Sequence, residues 1–131
     1  MVMKAPMRLR SRGFTLIELL VVMAIVATLL TLAVPRYFGS LAHSREVALK
    51  ENLKVLRLSL DKFAGDKGHF PDALDELVTE KYLRAVPVDP ITESALTWVP
   101  VLDSAGEGKG IIDVRSGAPG RSREGMAYDA L

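Results

Sequence analysis

Glu18 stands at the head of an apolar run, Phe14 to Val34, that holds no other ionisable side chain. A charge in such a run costs up to about 3 kcal/mol at the centre of a bilayer, so a carboxylate there tends to be paired and functional. The nearby cations are Lys4, Arg8, Arg10 and Arg12, all before Gly13. A cut between Gly13 and Phe14 would create another, the α-amino group of Phe14. That amine would lie within reach of Glu18 across the first helical turn, and so would the amine of a neighbouring copy. An ion pair is costly to bury when one partner is missing and is favoured in a low-dielectric setting when both are present.

The remaining polar residues show no reaction chemistry. His43 and His69 lack metal-ligand spacing, and no nucleophile–base pairing, P-loop or Gly-rich dinucleotide turn occurs. The absence of cysteine excludes a disulfide framework and a thiolate metal site. The net charge of +1 hides an asymmetry: without the four cations before Gly13, the rest of the chain is about −3. Its basic residues are interleaved with acids and form no aromatic–basic platform, which speaks against nucleic-acid binding. Catalysis is therefore not expected.

These residues need elements to position them. The apolar run of roughly 21 residues spans about 30 Å as a helix, the thickness of a bilayer core. It is too long for the apolar region of a secretory signal peptide, and no small-residue cleavage site follows it directly. The positive-inside rule leaves the basic start in the cytoplasm and places Pro35 onward outside. Pro35 predicts a kink rather than a stop, because a helical pattern resumes at once. Leu49, Leu53, Leu56, Leu60 and Phe63 recur at spacings of four and three, one face of a helix. Glu46 and Lys50 have the spacing of an i, i+4 ion pair. Gly65 is the expected C-cap, so residues 14–64 form one helix of about 50 residues, roughly 75 Å long. A second helix is expected within residues 70–83, with Asp72 as N-cap and Leu74, Leu77 and Val78 facing inward. Strands follow at 95–102, with Leu96, Trp98 and Leu102 alternating, and at 111–116. They are joined by a hairpin loop at 103–110, and a short final strand is expected near residues 126–128. Pro100 makes the first strand an edge or a bulge. Trp98 is read as core.

"RGFTLIELLVVMAIVATLLTLAVP" closely resembles the N-terminus of type IV pilins and of the pseudopilins of type II secretion, most of all the major, G-type pseudopilin. The resemblance rests on the basic leader, Gly13, Phe14, Thr15, Leu16, Ile17, Glu18 and the apolar run to Pro35. "FPDALDELVTEKYLRAVPVDP" resembles the segment that follows the long helix in pseudopilins. The resemblance implies an α+β, pilin-like fold: a cleaved leader (1–13), a long helix (14–64, with 14–34 in the membrane or filament core) and a small periplasmic head (65–131). It implies cleavage after Gly13 by a prepilin peptidase, N-methylation of Phe14 by the same enzyme, and Glu18 as the residue that governs assembly. The implied partners are further copies of the chain in a helical filament, other pseudopilins, inner-membrane secretion components and the membrane itself. The head would lie in the periplasm.

Major pseudopilins bind calcium in a loop near the C-terminus, through Asp side chains and backbone carbonyls. "DVRSGAPGRSREGMAYDAL" resembles that region, which implies calcium with Asp129 as the candidate ligand. The segment departs from the pattern: Ala118-Pro119-Gly120 stands where an Asp-Gly is common, and Arg121 and Arg123 oppose a cation. Taken by themselves these residues read as a solvated surface loop. The alternatives to a secretion pseudopilin are a type IV pilin of a surface fibre, a minor tip subunit and an uncleaved, signal-anchored binding domain. The lack of cysteine weighs against the many pilins that close a C-terminal loop with a disulfide.

Overall fold

The computed structural model describes residues 2–8, 10, 12–104 and 110–131. Its element order is α1 (Leu16–Lys67), α2 (Leu74–Thr79), β1 (Trp98–Leu102), β2 (Ile111–Ser116) and a terminal 3-10 turn (Tyr128–Ala130). The chain divides into two compact units, Met1–Phe38 and Gly39–Leu131.

In the first unit α1 begins at Leu16, and residues 12–15 lie outside it. Its side chains are exposed all round: Leu19, Leu20, Val22, Ile25, Leu29 and Leu32 are each more than half exposed. A helix that is apolar on every face belongs in a membrane or in a larger assembly. By length and composition it can cross a membrane.

The second unit is a small α+β head. Leu49, Leu53, Leu56, Leu60 and Phe63 of α1 are all buried, as the spacing predicts. They pack with Leu77 of α2, Trp98 of β1, and Ile111 and Val114 of β2. Each such burial contributes about 1.5–3 kcal/mol, and this is the main force holding the sheet on the helix. Phe63 also meets the edge of Tyr82, with ring centroids 5.3 Å apart. Trp98 is core, and its indole N–H donates to the Pro87 carbonyl at 2.7 Å. That bond satisfies the one polar atom a buried Trp brings with it.

The sheet has two antiparallel strands, pairing Trp98 with Ser116 and Pro100 with Val114. Pro100 sits in an edge strand, as expected, and the register slips between Val101 and Leu102. Gly117 follows β2 because a Cβ there would lie 2.2 Å from the Thr97 carbonyl oxygen. Residues 105–109 of the expected hairpin loop lie outside the described residues.

Several expectations need correction. The long helix runs from Leu16 to Lys67, not 14–64, although it continues through Pro35 as expected. Gly65 is helical; the turn out of the helix is made by Gly68, at φ +77°, whose N–H donates to the Ala64 carbonyl. That conformation is cheap only for glycine. The second helix is only six residues long. Asp72 is not its N-cap: the cap position is Ala73, and the Asp72 N–H instead donates to Glu76 Oε2 at 2.8 Å. Leu96 and Leu102 do not alternate inward with Trp98, since β1 starts at Trp98 and both leucines are exposed. The residues near Met126 form an isolated bridge, Arg121 with Ala127, and then the 3-10 turn rather than a strand.

Candidate functional site at the head of the long helix

Thr15 is the residue that starts α1. Its carbonyl accepts the Leu19 N–H at 3.3 Å, the first bond of the helix. Its hydroxyl accepts the Glu18 N–H at 3.3 Å, and its own N–H donates to Glu18 Oε2 at 3.0 Å. This is a reciprocal capping box: each side chain satisfies a backbone donor that the helix itself leaves open. A carboxylate in the first turn also suits the positive end of the helix dipole. Reading the chain for charge alone misses this role of Glu18, although Thr-x-x-Glu before an apolar run is its signature.

The cap has two consequences. The Gly13–Phe14 peptide lies outside the helix, with Phe14 92% exposed. The Glu18 carboxylate is held on the same turn, beside an apolar recess lined by Phe14, Glu18, Leu19 and Val22. Gly13, Phe14 and Glu18 are thus brought together at one end of one helix, and the uncut chain engages Glu18 with its own backbone.

In the head, His43 and His69 are exposed, and the His69 ring meets Phe63 edge-on. Glu46 is buried and does not form the expected pair with Lys50. Its Oε1 accepts the Arg123 N–H at 2.7 Å, while Lys50 faces Glu124 at 3.9 Å. Asp89, fully buried, holds the turn before β1: its Oδ1 accepts the N–H groups of Ile91 and Thr92, and its Oδ2 accepts the Ser116 hydroxyl at 2.5 Å. The proline turn around Asp89 is therefore tied directly to the end of β2.

Asp129 lies in the terminal 3-10 turn, beside a recess that it lines with Val99, Arg115, Ser116, Gly117 and Ala118. Calcium takes six to eight oxygens and is favoured by clustered carboxylates. Among the described residues no group of three His, Cys, Asp or Glu side chains could hold a metal, and Arg115 shares the Asp129 recess.

Residues 8–34 match the prokaryotic N-terminal methylation motif. The chain is 38% identical over 68 residues to the type IV major pilin protein PilA of Myxococcus xanthus, covering 52% of this chain and 31% of that protein. It is 29% identical over 97 residues to type II secretion system core protein G of Escherichia coli, covering 62% and 67%. The corresponding protein of Klebsiella pneumoniae is 32% identical over 84 residues, covering 64% and 56%. The chain is thus similar to type IV pilins and to G-type pseudopilins of type II secretion. The head described above, with a short second helix and a two-stranded sheet on a long helix, is the pilin-like α+β fold that the resemblance implies. The matches span about a third of the Myxococcus pilin and between about half and seven-tenths of the G-type relatives. No solved structure matches the chain.

Proposed function

We propose that this chain is a structural subunit of a type II secretion pseudopilus, cut after Gly13, N-methylated at Phe14 and assembled into a periplasmic filament that drives protein export. The observation that carries this reading is the placement of Glu18. It is the one carboxylate in the apolar, exposed stretch from Phe14 to Val34, and it stands one turn beyond a Gly13–Phe14 bond that lies outside the helix. Leader removal exposes the Phe14 amine beside that carboxylate. In a filament, the amine of an incoming subunit neutralises the Glu18 of one already in place, and the penalty for an unpaired charge enforces axial register. Exposed leucines and valines of the first unit are then covered by lipid or by neighbouring helices. The residues give the chain no catalytic role; the energy for extension comes from another component.

Orientation follows from the basic leader, which stays cytoplasmic while the head faces the periplasm. A surface-fibre pilin is the second reading, supported by the 38% identity to the Myxococcus pilin over 68 residues. Chemical cross-linking of intact cells tests assembly. A ladder of oligomers that depends on an active prepilin peptidase and remains within the cell envelope supports the pseudopilus. Oligomers recovered from the cell surface support the fibre, and monomers under both conditions leave only an anchored domain.

A further inference from the structure

We propose that the segment from Gly117 to Leu131 is fastened to α1 without a metal ion, and that the Glu46 carboxylate is its clasp. The resemblance to calcium-binding pseudopilins implies a cation in this segment, and its residues are arranged for something else.

Charge comes first. The segment's acids, Glu124 and Asp129, are matched by Arg121 and Arg123, so it offers a divalent cation no net attraction. Glu124 faces Lys50, and Asp129 shares its recess with Arg115. Several of its carbonyls are also engaged. Met126 O accepts the Ser122 N–H at 2.7 Å, Ser122 O accepts the Gly125 N–H at 2.9 Å, and Gly125 O accepts Arg121 Nη1 at 3.0 Å. A calcium loop turns its oxygens toward one point; this loop spends them on its own N–H groups.

The hold on α1 has the opposite polarity. Glu46 is a helix residue only 7% exposed, and a buried carboxylate is costly unless it is hydrogen-bonded. Its Oε1 takes the Arg123 N–H at 2.7 Å across 77 residues of chain. Arg123 Nη1 reaches back to the Gly39 carbonyl at 3.5 Å. An anion on the helix grips an amide of the loop, where a calcium ion would grip its oxygens. Charge-assisted bonds of this kind are about twice as strong as neutral ones.

The test uses the full chain in detergent micelles, followed by amide hydrogen exchange over residues 117–131 and by thermal melting. With millimolar calcium or with excess EDTA, exchange rates and melting temperature are expected to be the same, and Asp129→Asn is expected to change neither. Glu46→Ala should speed exchange across the segment by about tenfold, and Glu46→Gln, which keeps an acceptor, by less. Calcium-dependent slowing of exchange with a raised melting temperature would overturn the proposal, as would unchanged exchange in Glu46→Ala. Should Glu46→Ala not fold, the calcium comparison on the unaltered chain decides alone. Neither outcome depends on leader processing.

Discussion

Thr15 and Glu18 are bonded to each other twice, N–H to Oε2 at 3.0 Å and N–H to Oγ1 at 3.3 Å. Glu18 therefore has two separable properties: it caps α1 and it carries a charge. Glutamine keeps the first, since either Glu or Gln completes a capping box, and removes the second. Glu18→Gln and Glu18→Ala are both expected to leave leader cleavage largely intact and to impair assembly or methylation. Thr15→Ala weakens the cap by about 1 kcal/mol but keeps the charge, and is expected to assemble. The readouts are N-terminal mass for processing and cross-linked oligomers for assembly. Assembly by Glu18→Gln at the normal level would assign Glu18 to capping alone.

Arg57 ties three parts of the head together. Its Nε donates to Asp113 Oδ1 at 2.8 Å, and its Nη2 donates to the carbonyls of Val114 at 3.1 Å and Leu131 at 2.8 Å. Arg57→Ala is expected to lower stability by about 2 kcal/mol, because these are charge-assisted bonds weakened by partial solvent access. Arg57→Lys should recover little, since an ammonium lacks the planar fork. Urea unfolding of the full chain measures both.

Two glycines should respond oppositely to alanine. At Gly117 the added Cβ would meet the Thr97 carbonyl at 2.2 Å, so the strand must shift. A loss of about 3 kcal/mol is expected. Gly65 lies inside α1 with open space around it, and alanine there should stabilise the helix by up to about 1 kcal/mol. Melting temperatures of the two variants decide the point.

How far the fold could be read from residues depended on the range of the interaction. The leucine stripe of α1 was legible because burial follows helical spacing, and β2 was found at 111–116 because β-branched residues are bounded by glycines. The expected Glu46–Lys50 pair does not form because a local pair of this kind is worth only about 0.2–0.5 kcal/mol. Partners 77 residues away displaced it, and no local pattern announces Arg123. The Asp89–Ser116 tie is hidden for the same reason. At the candidate site, Gly13, Phe14 and Glu18 stood out by type and spacing. The Thr15–Glu18 cap is legible too, as Thr-x-x-Glu before an apolar run.

The phenol of Tyr82 donates to Asp66 Oδ2 at 2.8 Å. That hydrogen bond, with the nearby charges of Asp66 and Glu80, raises its pKa above the ordinary value of 10.0. The neutral phenol is thus favoured in the folded head. Its contribution is complete below the unfolded value and is lost as pH rises through the folded one. Ultraviolet titration of the phenolate should give a midpoint above that of free tyrosine, and Asp66→Asn should bring it back down.

The central claim is that Glu18 serves a chain cut between Gly13 and Phe14. Intact-mass and N-terminal analysis of the protein from its native membrane tests it most directly. The account predicts a chain that begins at N-methylated Phe14. A retained leader in cells with an active prepilin peptidase would contradict it, leaving Glu18 as the cap of an ordinary membrane anchor.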